Sequence, residues 1–430
     1  MNSIPLKDQT RNPITWVPTV YFAMGLPFVI LSQTSTLMFK NMGISDTNIT
    51  FWTSLIMLPW TLKFLWSPFL EMFRSKKYFV VLTQFVSGIS FALVAVSLPL
   101  EGFFRYVIAV FVVVAFSGAT HDVATDGIYL NALSAKQQAQ YVGWQGAFYN
   151  AAKFLSAGAF VALAGLLEKS IGITNAWMVV FGIFAAIMIL LSLLHTRTLP
   201  QGGTSAQVKT LDEVKTTMKE VLRSFITKKH IVYYLFFIIL YRFAEGFAIK
   251  VVQLFLRADR SDGGLGLATD TIGLIIGVGG AGAFIIGSVL GGYAIAHYGL
   301  RKSLFALCLS FNIPFVAYAL LAVFQPDNVA IISAAVIFEY FGYGFGFVGL
   351  TYFMMQQIAP GKYNMAHYAI ASGIMNLGFM LPGLASGWLS DLIGYKSFFI
   401  FVLFATIPSL LITWFVPFTY HDDKKGVQEA

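Results

Sequence analysis

Charge is scarce in this chain. Only 11% of its 430 residues are Asp, Glu, Lys or Arg, while 57% are hydrophobic. Soluble domains carry about a quarter charged residues, so the composition excludes an ordinary water-solvated fold. Cysteine is almost missing. Cys308 stands alone, which excludes an intramolecular disulfide and a cysteine-built metal site. The long apolar runs lack the apolar–polar alternation that a membrane barrel needs. A nucleotide cradle is also missing: Gly342-Tyr-Gly344-Phe-Gly346 lies inside an apolar run, with no strand before it. ATP is therefore not expected to drive the protein directly, and no cofactor is expected. The net charge of +8 sits mostly in loops, where membrane topology requires bases, so no nucleic acid partner is expected. The first apolar run starts at Ile14 and is too long for a signal-peptide core, so no cleavable signal is expected.

What the chain has is apolar length. Twelve runs, at 14–38, 50–70, 78–99, 104–130, 141–168, 175–195, 231–256, 270–296, 302–324, 329–358, 363–391 and 396–418, are each long enough to cross a bilayer. Backbone groups in hydrocarbon must be satisfied within the segment, so these are helices. The expected fold is an all-α polytopic membrane protein of 12 transmembrane helices. It reads as two pseudo-symmetric six-helix halves, residues 1–195 and 231–430. A cytoplasmic linker, 196–230, joins them and contains an amphipathic stretch at 211–225. Counted over these spans, eighteen of the 28 bases fall on the side of the termini and the linker, and six on the other. Bases mark the inside, so both termini are expected in the cytoplasm.

A weak repeat follows spans 2, 5, 8 and 11. Its clearest copy runs from Gly387 through Asp391 to Gly394. Others contain Glu168, Arg301 (with Ala296 at the acid's place) and Glu71 with Arg74. This once-per-three-helices pattern resembles the loop signature of the major facilitator superfamily. Glu71, Arg74, Glu168, Arg301 and Asp391 are read as gating and stability residues.

The stretch 106–130 organises the rest. It is hydrophobic enough to span, yet carries His121, Asp122 and Asp126. The two carboxylates are four residues apart and share one helix face. Ionisable groups inside a span are costly and mark ion pathways or proton relays by default. Glu245 and Glu339 also lie within spans, as do four bases: Lys63, Lys153, Arg242 and Lys250. Arg242 and Glu245 can pair at i, i+3. Lys63 and Lys153 are the candidate partners of the span 4 acids, and Arg242 or Lys250 that of Glu339. A purely structural set of ion pairs is the competing reading; charges spread over five helices favour a polar central cavity. On this reading Asp122, Asp126, Glu245, Glu339 and His121 are the candidates for proton coupling. Aromatics accompany the bases: Trp60 and Trp66 around Lys63, Tyr149 before Lys153, Tyr241 beside Arg242, and Tyr340 and Tyr343 near Glu339. Rings beside polar groups suit a sugar, so these bases and aromatics are the candidate substrate-binding set. For any one ring, a lipid-facing place is the simpler reading. Gly25-Leu-Pro27 and Pro59 are expected to bend spans 1 and 2.

Gly25-Leu-Pro27, Lys63-Phe-Leu-Trp-Ser-Pro68, His121-Asp122 with Asp126, Tyr241-Arg242 with Glu245, and Phe338-Glu339 resemble, in order along the chain, the AmpG muropeptide permeases. That family lies in the major facilitator superfamily and is related to acetyl-CoA transporters. It commonly has Gln where His121 stands, Trp where Tyr129 stands, and a Lys/Asp pair at Arg242 and Glu245. The resemblance implies proton-driven import of anhydro-sugar cell-wall fragments across a bacterial inner membrane. The implied partners are an anionic amino-sugar or glycopeptide, protons and lipid, and a monomer is expected. Two other classes compete. A membrane transferase needs catalytic acids near one surface and usually a sizeable loop domain. A transporter-like sensor would bind its ligand without moving it.

The charge bias makes a topological prediction. A reporter fused after Ala430 is expected to behave as cytoplasmic; periplasmic reporter activity there would overturn the orientation.

Overall fold

A computed structural model of the chain describes residues 11–66, 70, 75–133, 135–202, 211–361 and 363–420. Every regular element among them is helical. Nine of the described helices are long and apolar enough to cross a membrane. They are Pro13–Asn41, Lys76–Ser97, Phe103–Tyr129, Trp144–Ile171, Ile173–Thr198, Thr269–Ile295, Leu300–Phe324, Val329–Ile358 and Ala366–Trp414. The last holds two expected spans, because Gly394 inside it sits at φ 73°, ψ 157°, outside any right-handed helix.

The other two of the twelve spans are interrupted. Span 2 is divided into Asp46–Leu55, Leu58–Leu62 and a 3₁₀ turn, Lys63–Leu65. Pro59 opens the second piece, where a missing N–H costs nothing. Span 7 is divided into Ile231–Tyr241 and Phe243–Arg257 by Arg242, whose φ and ψ are −99° and 8°. Backbone freed at such a break needs a partner inside the protein. Here Ser409 Oγ of span 12 donates to the Tyr241 carbonyl at 3.1 Å. Asn312 and Thr413 extend that polar patch: Asn312 Nδ2 donates to Ser409 Oγ, and Thr413 Oγ1 to Cys308 Sγ. Span 1 holds Pro27 inside its first helix and passes into a π-helical turn at Ile30–Thr34. A second π-helical turn, Leu155–Ala159, lies in span 5, and Thr34 Oγ1 links the two by donating to the Ser156 carbonyl.

Contacts divide the chain into two compact units. One is Met1–Val214 with Leu267–Gly277; the other is Lys215–Gly266 with Val278–Ala430. The first unit takes in the start of span 8 because glycines allow backbone contact there. Gly273 and Gly277 lie against Gly158 and Ala162 of span 5, with no room for a Cβ. Its inner core forms around Trp16, Val17, Val20 and Tyr21, packed on Val80, Ala124, Ile128 and Leu199. In the second unit the amphipathic helix Leu211–Ile226 is held by its C-terminal end. Phe225 is buried among Ile231, Tyr234 and Leu304, Ser224 Oγ bonds His367 Nε2 at 2.9 Å, and Tyr363 OH donates to Glu220 at 2.6 Å.

Gly25 is where spans 1 and 5 approach most tightly around the site. A Cβ there would lie 2.7 Å from the Tyr149 carbonyl oxygen and 2.9 Å from Ala152 Cβ. Backbone in a packed helix cannot yield cheaply, so Gly25→Ala is expected to destabilise the protein by about 1–3 kcal/mol. Gly182→Ala, with nothing within 4 Å, should be neutral or stabilising. Thermal unfolding in detergent compares the two.

Candidate functional site

In the first unit the polar groups converge on one face of span 4, Phe103–Ala132. The 3₁₀ turn of span 2 brings Lys63 Nζ to 3.3 Å from Asp122 Oδ2. That is longer than the usual 2.7–2.9 Å or so of a charge-assisted bond, and the Lys63 side chain keeps 27% of its exposure against 8% for Asp122. Trp60 and Trp66 reach the same helix. Trp60 is buried, edge-on to Phe28 at 5.4 Å, with its ring where a Cβ on Gly118 would fall. Trp66 Nε1 donates to Thr120 Oγ1 at 3.2 Å. Asp126 accepts from Tyr21 OH of span 1 at 3.0 Å. Lys153 lies over the Tyr149 ring, 5.3 Å from its centroid, and the base on Asp122 is Lys63. Two sealed polar atoms here, Asp122 Oδ1 and Trp60 Nε1, lack a hydrogen bond of good geometry, and the indole is near enough to act on Asp122 only as a weak donor. A weakly met acceptor and donor together can be better satisfied by a third polar group.

His121, the neighbour of Asp122 in sequence, turns elsewhere. Gln84 Nε2 of span 3 lies 2.9 Å from His121 Nε2, and Gln84 Oε1 lies 2.8 Å from His195 Nδ1 of span 6. Thr19 Oγ1 is 3.0 Å from His195 Nε2, and Thr125 Oγ1 is 3.3 Å from His121 Nδ1. An amide has one donor end and one acceptor end. With this orientation His121 accepts at Nε2 and His195 donates from Nδ1, so both rings fit as neutral imidazoles. The chain ties spans 1, 3, 4 and 6 together.

The second unit carries its own charges. Arg242, at the break in span 7, grips Glu245 with both ends of its fork, Nε at 2.6 Å and Nη2 at 2.7 Å. The pair is buried, and the guanidinium lies over the rings of Phe347 and Phe379 at 5.3 and 5.2 Å. Lys250 Nζ lies over the same Phe379 at 5.9 Å. Glu339 departs from expectation. Its partner is neither Arg242 nor Lys250 but Tyr318 OH of span 9, which donates to Oε2 at 3.0 Å. The reason is that the Arg242 fork is taken by Glu245, while Lys250 is drawn to a ring of span 11. Tyr241 serves the core, its hydroxyl donating to the Gly346 carbonyl at 2.8 Å. Tyr340 packs flat on Gly280, and Tyr343 packs among Phe284, Phe311 and Phe347.

The Major Facilitator Superfamily model matches residues 19–366. The chain belongs to the major facilitator superfamily. It is a multi-pass membrane protein and a secondary transporter of small molecules, not an enzyme. Among relatives in this superfamily, it is 25% identical over 399 residues to a protein of Escherichia coli strain K12 named anhydromuropeptide permease. The match covers 91% of this chain and 77% of that one. An uncharacterized protein of Haemophilus influenzae is 23% identical, with 94% of each chain covered. The fold is shared with a D-xylose–proton symporter (TM-score 0.71, 16% identity, 94% of this chain and 97% of that). It is also shared with an inward-facing bacterial homologue of the human lysosomal transporter Spinster (TM-score 0.71, 15% identity, 96% and 97%).

Of the superfamily-type loop residues, Glu71 and Arg74 lie outside the described residues. Arg301 and Asp391 are exposed. Glu168 is built in by neutral donors: Asn41 Nδ2 at 2.6 Å, Trp177 Nε1 at 2.9 Å and Thr269 Oγ1 at 2.9 Å, beside an ion pair of Lys169 with Asp270 at 2.5 Å. Sequence reasoning missed Tyr21, Gln84, His195 and Tyr318. Gln84 had a usable signal, as a lone amide inside the apolar run 78–99. A tyrosine among nineteen has none.

Gln84→Leu is expected to orphan one nitrogen on each histidine, at about 1–3 kcal/mol apiece, and to lower the unfolding midpoint accordingly. Adding His121→Leu to that variant should cost less than the two separate losses combined. Strict additivity in a thermal-unfolding cycle would dissolve the chain.

Proposed function

We propose that this superfamily member imports cell-wall-derived anhydromuropeptides, N-acetylglucosaminyl-anhydromuramyl sugars with or without peptide, by proton-coupled alternating access. On this reading it works as a monomer in a bacterial inner membrane, with both termini cytoplasmic. The observation that carries the reading is the similarity along 91% of the chain to a permease named for that cargo. The chemistry of the first unit supports it. A sugar hydroxyl is both donor and acceptor, so one hydroxyl placed between them can give its proton to Asp122 Oδ1 and take the Trp60 N–H, two buried atoms that hold each other only weakly. Indole and phenol rings offer faces for sugar C–H groups; Trp60 and Tyr21 are buried, and Trp66 and Tyr149 are the half-buried rings of this unit. Lys63, loosely held and partly exposed, is the base best able to leave its carboxylate for that of a lactyl or peptide group. Arg242 is less available while its fork holds Glu245.

The test is uptake of labelled N-acetylglucosaminyl-anhydromuramic acid into proteoliposomes with an acid exterior. Accumulation abolished by a protonophore is expected, with Asp122→Asn strongly reducing it. Lys63→Gln should weaken binding by about 1.5–3 kcal/mol, the range for a hydrogen bond to a charged group. That loss should be larger for the carboxylate-bearing ligand than for a neutral analogue. No binding of any anhydromuramyl ligand by the folded wild type would leave another oligosaccharide or organic anion as the cargo.

A further inference from the structure

Four carboxyl groups lie inside the spans, and the fold treats them differently. Asp122 faces Lys63. Glu245 is gripped by the Arg242 fork. Asp126 is half-buried, takes Tyr21 OH and lies one turn from the Lys63–Asp122 pair. Glu339 alone among them is buried with no cation beside it among the described residues: its partner is a neutral phenol. We propose that Glu339 is the group that loads and releases the coupling proton, and that Tyr318 is the residue that positions it. This rests on the proton-coupled reading above.

The geometry fits a carboxylic acid better than a carboxylate. An isolated buried carboxylate is expensive, and the usual escape is to carry a proton. The Tyr318 hydroxyl donates to Oε2, which then serves as the carbonyl oxygen of the acid and leaves the proton on Oε1. Tyr318 is itself buried, 1% exposed, with its ring 5.8 Å from Phe399, so it offers a fixed donor. Among the described residues the hydrogen bond to this carboxyl falls on Oε2, so Oε1 is the oxygen left for the proton. In the releasing step the O–H bond on Oε1 breaks, water takes the proton, and the electron pair stays on the carboxylate. Loading reverses this. Glu339 is the eleventh residue of Val329–Phe353, about 15 Å along the helix, near the middle of the span.

The same place supplies a link to conformation. The groups facing Glu339 are Tyr318 of span 9, Glu245 of span 7, and Tyr340 and Tyr343 on its own helix. Glu245 acts on Glu339 as a like charge, and Glu245 is held by Arg242. Deprotonation therefore places a second negative charge near Glu245, whose own cation is Arg242. Arg242 is also the residue at which span 7 breaks. The proton on Glu339 thus bears on the Arg242–Glu245 pair through Glu245.

Two measurements test this, and one needs no substrate. Infrared difference spectra of the reconstituted protein, titrated around neutral pH, should show the carbonyl band of a protonated carboxylic acid. The band should vanish in Glu339→Gln and shift in Tyr318→Phe. In proteoliposomes, Glu339→Gln should still exchange internal for external N-acetylglucosaminyl-anhydromuramic acid, while its gradient-driven accumulation falls to the equilibrium level. A band that persists in Glu339→Gln, or full accumulation by that variant, overturns the proposal. If wild type does not carry this sugar but the band titrates and disappears with Glu339, the cargo reading fails and the Glu339 assignment stands. Should Glu339→Gln not fold, Glu339→Asp and Tyr318→Phe take its place: an unchanged band in both counts against the assignment.

Discussion

Hydrocarbon gives nothing to a polar group, and most of what is specific in this protein follows from that. Each charge or freed backbone group inside a span must find its partner on another helix or within a turn of its own. The ties observed are of this kind: Lys63 of span 2 with Asp122 of span 4, Tyr21 of span 1 with Asp126, Tyr318 of span 9 with Glu339. They fix helix rotation in a way that apolar packing cannot, because lipid is as good a neighbour for leucine as another leucine. The uncharged chain through Thr19, His195, Gln84, His121 and Thr125 does the same for four helices without placing a charge in the membrane.

The two interrupted spans extend the argument. Span 2 breaks before Pro59 and passes into a 3₁₀ turn at Lys63; span 7 breaks at Arg242. In both, a base sits where the helix is irregular. A break gives a long cationic side chain freedom of direction, and the protein covers the backbone cost locally, as Ser409 does for the Tyr241 carbonyl. Both of these bases are engaged with carboxylates, Lys63 at long range and Arg242 tightly. A transporter that alternates between states needs charge partners that can change without melting a helix. Bases at helix breaks meet that need, whereas Lys250, inside a regular helix and set over Phe379, does not.

The helices around these charges are joined by close backbone contact. Gly25 against Tyr149, Gly158 against Gly277, and Gly165 against Asp270 leave no space for a Cβ. Where glycine lets the start of span 8 approach span 5, Glu168 gathers Asn41, Trp177 and Thr269. That site was legible as an acid at a helix end in a repeating loop pattern. Its partners were not: they are Asn, Trp and Thr, the residues that the glycine contacts bring near.

The sequence by itself determined the class of the protein. Apolar length, missing alternation and sparse charge allow only a helical polytopic fold, since no other structure satisfies its own backbone in lipid. The loop pattern and the in-order motifs were enough for the superfamily, and the i, i+3 spacing was enough for Arg242 with Glu245. Local spacing could not choose among partners on different helices. Glu339 met a phenol and not a base, Lys153 met Tyr149, and His121 turned away from the acid beside it toward Gln84. Those outcomes depend on how each helix is rotated and where it breaks, and both are set by contacts between residues a hundred or more positions apart, as between Tyr21 and Asp126 or Gln84 and His195. Only the tertiary structure carries that information, because burial decides which polar group must be partnered and packing decides which partner can reach it.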